Sequence, residues 1–353
     1  MQVLPRLGAA DGAVEPAESA QGEILRQALV FDAFTSTKLE LTLSPTEKCN
    51  FRCVYCYEDF SIGRMRPAVV SGVRNLIRRR VAGLKTLQIS WFGGEPLLAY
   101  DIVTEIGEFA ARVAGEHDVT LISGMTTNGA LLSEERFQRL TDMGIGEFQI
   151  SLDGDPAEHD KTRVRIDGSG TFSRIWDNLL LFDRLKAAGR LQDAKITLRL
   201  HMHQDNMDSV LRLARRIRET LTPAHFNIHL RKIANLGGTH DARLPVITRE
   251  TERYRTLSAR ILSEVHAFTP EAGVGLDVCY ASKGNAFFIR PDGRVSKCNV
   301  ALGDDFNTIG AIDEDSRLSL DPERLTPWLH GFSTLDAADL ACPLMRIAAA
   351  RPI

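Results

Sequence analysis

The chain has 353 residues, 44% apolar and 25% charged, which is ordinary globular usage and excludes disorder as the default reading. A formal net charge of −3 leaves no footprint for a polyanion, so nucleic acid is not an expected partner, and Arg78–Arg80 reads as a solvated helix face. No stretch has the make-up of a signal peptide or a membrane span, so the expectation is a cytoplasmic protein with no membrane partner and six reduced cysteines.

Residues 1–35 read as a flexible N-terminal extension, because Gly8–Gln21 is rich in Ala, Gly, Glu and Pro and shows no period. From Lys38 onward, six β-type runs follow: Lys38–Leu43, Thr86–Phe92, Val119–Thr126, Glu147–Leu152, Lys195–His203 and His225–Lys232. Amphipathic helical patterns lie between them, at Ala68–Leu84, Ile102–Ala114, Ser133–Met143, Phe172–Ala188 and Asn206–Thr220. Strand–helix alternation means parallel strands with right-handed crossovers, in an open α/β sheet or a barrel. Unusual residues fall just after the strands: a cysteine cluster after the first, Gly93-Gly94-Glu95-Pro96 after the second, Thr127-Asn128-Gly129 after the third, Asp153-Gly154-Asp155 after the fourth. Barrel enzymes gather their chemistry at that rim, which favours a partial (β/α)6 TIM-type barrel over residues 36–238. Beyond about Thr239 the alternation stops. A helical stretch at Glu250–Ala267 leads to two short strands around Pro291-Asp292-Gly293, a hairpin by its turn chemistry, so residues 239–353 are expected to form a small hairpin-plus-helix domain.

Cys49, Cys53 and Cys56 have the spacing C-x3-C-x2-C. Thiolate is the ligand that iron–sulfur clusters require, and three thiolates for four irons leave one iron open. A structural zinc site wants four closed ligands, and the nearest fourth candidate, Glu58, would be an unusual one. With an aromatic residue before the last cysteine, the segment resembles the signature of the radical S-adenosylmethionine (SAM) superfamily. Gly93-Gly94-Glu95-Pro96, Thr126-Thr127-Asn128-Gly129, Ser151-Leu152-Asp153-Gly154 and His159-Asp160-Lys161-Thr162-Arg163 resemble that family in the right order, over roughly Lys38 to Lys232.

The resemblance implies a 4Fe–4S cluster on Cys49, Cys53 and Cys56, with SAM chelating the open iron. It places Tyr55 by the adenine, Gly93 and Gly94 where backbone approaches a ligand, and Glu95 as acceptor for the cofactor ammonium. Arg163 would pair with the cofactor carboxylate, Ser151 would contact ribose or carboxylate, and Asn128 would stand nearby. Each has an ordinary structural role as alternative: a core tyrosine, a glutamate at a helix N-terminus, an Asn-Gly turn. The implied chemistry is reductive SAM cleavage to a 5′-deoxyadenosyl radical, with electrons from a donor such as flavodoxin or ferredoxin.

Cys279 and Cys298 flank the hairpin as C-x13-G-x4-C, which resembles the start of the SPASM or twitch domains of radical SAM enzymes that modify peptides and proteins. The continuation departs from that pattern: only Cys342 remains, with Asp339, Ala348 and Pro352 where further cysteines are expected. Three readings stay open. Cys279, Cys298 and Cys342, with a fourth ligand such as Asp339, hold one auxiliary iron–sulfur cluster; the domain keeps its shape without metal; or the cysteines are plain buried residues. The tail points to a peptide or protein substrate, and the leading expectation is a peptide maturase, an oxidoreductase that crosslinks or otherwise changes a ribosomally made peptide (a RiPP). The alternatives are an anaerobic sulfatase-maturing enzyme and a non-catalytic scaffold. Asn299 weighs against the former, because that family carries an aspartate proton acceptor there. No catalytic base stands out; Asp304, Asp305 and His201 are the nearest guesses.

Overall fold

The computed structural model describes residues 20–191, 193–237, 244–269, 278–315 and 317–350, so the lead-in before residue 20 and the boundary at 238/239 lie outside the described residues. Ten strands form one sheet. Six are the barrel strands: β1 Lys38–Leu43, β2 Thr86–Trp91, β3 Thr120–Thr126, β4 Ile145–Leu152, β5 Lys195–Met202 and β6 Phe226–Lys232. They pair in parallel and in chain order, each with the next, which is the expected partial (β/α)6 barrel.

Crossover helices cover the outer face: α2 Pro67–Arg80, α3 Tyr100–Glu116, α4 Glu134–Asp142, α5 Phe172–Ala187 and α6 Met207–Thr220. Local signals set their starts; Pro67 stands in the first turn of α2, and the Ser133 hydroxyl accepts the Arg136 N–H at 3.3 Å to cap α4. The strands alternate except in β3, where Leu121 and Ile122 are adjacent and the pairing with β4 shifts register between Ser123 and Gly124. Leu39, Leu41, Leu87, Ile89, Phe148, Ile150, Leu198 and Leu200 are buried in the shared core, while Thr42, Gln88, Ser90, Gln149, Ser151, Arg199 and His201 take the other face. The barrel therefore has an apolar jacket and a polar lumen. A cavity of about 390 Å³ occupies part of that lumen, lined among others by Gln88, Ser90, Thr126, Gln149, Tyr280 and Asn299.

Two expectations need correction. Part of the predicted flexible extension is a helix, α1 Ala20–Phe34. Tertiary contacts hold it: Ala33 O accepts Gly284 N–H at 2.9 Å, and the Phe34 ring meets Phe332 edge-on at 5.1 Å. Nor does the C-terminal hairpin stand apart. β7 Ala286–Ile289 pairs in parallel with β1, and β8 Arg294–Ser296, β9 Thr308–Ile312 and β10 Leu318–Leu320 extend the same sheet antiparallel. The turn is as predicted, with Gly293 at φ +89°. β1 is thus an interior strand, paired on both sides, and the loop after it is gripped by both halves of the chain.

Candidate active site at the barrel rim

That loop carries the three cysteines. Phe51–Cys53 forms a two-stranded ribbon with Arg163–Arg165, with Cys53 opposite Arg163. Val54 N–H donates to Thr162 O at 2.9 Å, and Cys56 N–H turns back to Cys53 O at 3.0 Å. The thiols of Cys49, Cys53 and Cys56 are free and half-buried. Burial pushes all three up, Cys56 to about 12, with Glu58 adding to the effect there. Among the described residues no three acidic, His or Cys groups stand close enough for one metal ion. A single tetrahedral ion with 2.3 Å bonds needs sulfurs about 3.8 Å apart. Each thiolate of a cluster holds a different iron, so a wider spacing suits a cluster.

The Gly-Gly-Glu segment locks against this loop. Gly94 N–H donates to Thr46 O at 3.2 Å and Glu95 N–H to Lys48 O at 2.9 Å. A Cβ at Gly93 would lie 2.3 Å from Thr46 O, and one at Gly94 2.5 Å from Lys48 O. The two glycines therefore admit the backbone leading to Cys49, where the resemblance had suggested a ligand. Replacing Gly94 by Ala is expected to push that backbone away and at least halve the iron retained per chain; unchanged iron content would refute this.

Glu95 is fully buried and much of its acceptor capacity is taken. Its Oε1 accepts Leu97 N–H at 3.0 Å and the Thr127 hydroxyl at 2.8 Å; Oε2 accepts Asn128 N–H at 2.7 Å. Burial raises its pKa against those hydrogen bonds. Glu95 thus fills the helix-start role, with room for one further hydrogen bond at Oε2. Asn128 donates from Nδ2 to Asn50 Oδ1 at 2.8 Å, tying the third motif to the cysteine loop.

A second centre forms around Asp153, quoted above within a motif but not recognised as a site. It is fully buried. Oδ1 accepts the Tyr55 hydroxyl at 2.9 Å, Oδ2 accepts Thr162 Oγ1–H at 2.7 Å, and His201 Nδ1 lies 3.3 Å from Oδ1. Arg163 Nη1 donates to the Tyr55 oxygen at 2.8 Å. Burial alone would raise the Asp153 pKa, but the His201 hydrogen bond and the Arg163 charge hold it well below the usual range. Burial lowers His201 to about 4, so at neutral pH the charge on Arg163 sustains the carboxylate. Tyr55 therefore has its hydroxyl in this network. Arg163 is buried, and its Nε has no hydrogen-bond partner. Ser151 faces the lumen two residues before Asp153. Strand parity was the signal for Asp153, which continues the lumen-facing row of Gln149 and Ser151.

In the C-terminal part the fold gathers Cys279, Cys298 and Cys342 from three segments. Each of these free thiols lies near enough to the others for their charges to interact. Cys279 N–H donates to Leu340 O at 2.8 Å, which fixes the approach of the Cys342 segment. Burial pushes Cys298 to about 12. Asp339, expected as a fourth ligand, instead turns its carboxylate to Arg346 Nε at 3.3 Å and His330 Nε2 at 3.9 Å. Asp304 and Asp305 are exposed, whereas His201 lies within the rim network.

A parallel-stranded barrel with three thiols in the loop after its first strand defines a class of cluster-bearing enzymes. The family model described as the radical SAM superfamily matches residues 43–217. The chain belongs to that superfamily. Among curated relatives, the GTP 3',8-cyclase of Marinobacter nauticus is 35% identical over 158 residues, 43% of this chain and 44% of the relative. The molybdenum cofactor biosynthesis protein moc-5 of Caenorhabditis elegans is 31% identical over 51% of this chain and 28% of its own length. The chain thus spans less than half the length of these relatives. The Moorella thermoacetica GTP 3',8-cyclase is 26% identical over 76% of this chain and 79% of its own. Similar solved structures include native anSMEcpe with bound AdoMet and Kp18Cys peptide, at TM-score 0.59 and 16% identity, covering 84% of this chain and 82% of that one. Streptococcus suis SuiB bound to precursor peptide SuiA follows at TM-score 0.57 and 16% identity, covering 98% and 79%.

The family's cofactors, a 4Fe–4S cluster and SAM, fit the residues present. Three free thiols share one loop, and beside Cys53 the buried Arg163 keeps an unpartnered Nε. Among the described residues no helix is long and apolar enough to cross a membrane.

Proposed function

We propose that the chain is a SAM-cleaving enzyme whose substrate is a ribosomally made peptide, modified at an unactivated carbon. The observation that carries this reading is the cavity lined by Gln88, Thr126 and Gln149 on the barrel strands and by Tyr280 and Asn299 beside the C-terminal cysteines. It runs inside the barrel from Phe92 and Thr126, at the C-terminal ends of β2 and β3, past Tyr280 and Asn299, which leaves room for a substrate in the lumen. Cys49, Cys53 and Cys56 hold the cluster; Arg163, through Nε, takes the cofactor carboxylate, and Tyr55 is positioned by Asp153 and Arg163. The bound cofactors supply one-electron cleavage of SAM and a carbon radical able to remove hydrogen. The chain's own part is to orient them and to exclude water, with β7–β10 covering the side of β1. Cys279, Cys298 and Cys342 hold an auxiliary cluster without Asp339, and a small acidic electron carrier such as flavodoxin or ferredoxin supplies electrons. The peptide reading draws support from fold neighbours solved with peptides.

A second reading, action on a guanine nucleotide, is favoured by the GTP 3',8-cyclases among the relatives. Iron counting on protein reconstituted without oxygen tests both clusters. About eight irons per chain are expected, falling to about four when Cys49, Cys53 and Cys56 are all changed to Ala. Iron that ignores those three residues would overturn the proposal. Release of 5′-deoxyadenosine stimulated by GTP, and not by peptide, would move the assignment to the second reading.

A further inference from the structure

The lumen carries a cationic face that the cofactor does not account for. Arg199 is the central lumen-facing residue of β5, between Thr197 and His201, whose side chains bond Glu147 and Tyr55 across the same face. The parallel register sets Arg199 beside Ser151 on β4 and His229 on β6, and sets Arg231 beside His201. Arg163 lies near enough for its charge to be felt at Arg199. The carboxylates nearby are engaged elsewhere: Asp153 with Tyr55 and Thr162, Glu147 with Thr197. Arg199 Nε is buried with no hydrogen-bond partner, and no carboxylate among the described residues forms a salt bridge with it. Arg199 as a whole is half-buried, so its guanidinium is open to the lumen while its buried Nε keeps an unsatisfied donor, a state that an anion seated in the lumen would relieve. Its planar fork matches carboxylate and phosphate oxygens.

We propose that Arg199 is a substrate-anchoring residue, which takes an anionic oxygen group of the substrate on the lumen face between Ser151 and His229. The inference rests on the lumen being the substrate chamber, as proposed above. The shared chemistry is a carboxylate or a phosphate: an acidic side chain or terminus of a peptide supplies the first, a nucleotide the second. Either would neutralise Arg199 only when substrate is seated, which places the rest of the substrate toward the cavity beside Gln149.

The test reads anion binding without turnover. Reconstituted protein saturated with SAM is titrated with sodium acetate and, separately, with sodium phosphate, at ionic strength held constant with sodium chloride. Thermal midpoints are followed for the wild type, Arg199→Gln and Arg199→Lys. The wild type should rise by roughly 3–5 °C in a saturable manner with at least one anion. Arg199→Gln should lose the rise, and Arg199→Lys should need roughly tenfold more anion because it lacks the fork. Acetate acting alone assigns a carboxylate; phosphate acting alone assigns a phosphate. If Arg199→Gln does not fold, the displaced titration of Arg199→Lys carries the test. A flat wild type, or equal rises in all folded variants, overturns the proposal. That failure is distinct from failure of the functional reading, which is decided by iron content and 5′-deoxyadenosine release in the wild type.

Discussion

Changing Arg290 to Met is expected to cost roughly 3–5 kcal/mol of stability, because it strands a buried carboxylate. Arg290 follows β7, and its Nε and Nη2 donate to Glu47 Oε1 and Oε2 at 2.8 and 3.0 Å. Its Nη1 donates to Leu302 O at 2.7 Å. Both side chains are almost wholly out of water, at 5% and 2% exposure, so solvent cannot compensate for a lost partner. The bidentate geometry answers the remaining donors and acceptors, which makes the intact pair tolerable and each half alone expensive. Glu47→Leu with Arg290→Met should therefore recover most of the loss, a coupling that urea unfolding of the four proteins would measure directly. Glu47 stands two residues before Cys49, so the Arg290→Met protein should also lose iron. Single variants within about 0.5 kcal/mol of wild type would show that the pair does not clamp the cysteine loop.

That clamp also shows what the sequence could and could not reveal. The six barrel strands and their order were legible because Leu39, Leu41, Leu87 and Ile89 alternate with polar residues over short runs bounded by turn residues. The same alternation is what makes the lumen polar once the barrel closes, although an all-parallel sheet usually reads as continuously apolar. The cysteine spacing was local information and survived intact. Pairing of β7 with β1 was not legible: it joins segments more than 240 residues apart and depends on no turn chemistry. Glu47 and Arg290 share no motif, and their meeting follows from that pairing alone. Gly93 and Gly94 mark close approach in sequence, but what approaches is decided by the fold, here backbone from Thr46 to Lys48. Helix α1 was missed for a related reason, since its anchors at Gly284 and Phe332 lie at the far end of the chain.

His159 should make the protein lose stability on mild acidification. It is fully buried, and Asp153 N–H donates to its Nδ1 at 3.3 Å. The proton therefore sits on Nε2, which donates to Thr171 Oγ1 at 3.0 Å, while that hydroxyl donates to Arg163 O at 2.6 Å. A second proton would place Nδ1–H against the Asp153 N–H with no acceptor between them. Burial is the main cause that lowers its pKa to about 4, and Asp153 opposes the shift. The unfolded value is about 6.5, so between these limits the unfolded chain binds more protons and stability falls as pH falls. The loss attributable to His159 is about 3 kcal/mol, from 1.36 kcal/mol per unit. His201 acts in the same sense over the same window. Glu58, pushed up to about 8 by burial and by Glu47, acts oppositely, adding stability as pH falls through that value. The comparison is therefore with His159→Gln, whose amide can accept from Asp153 N–H and donate to Thr171 without titrating. From pH 7 to pH 4 the gap between the two stability curves should move by about 3 kcal/mol in favour of the variant. A gap between the two stability curves that stays constant across that range would mean that His159 takes up its proton as readily in the folded protein as in the unfolded chain, and that its burial against Asp153 N–H does not hold it neutral.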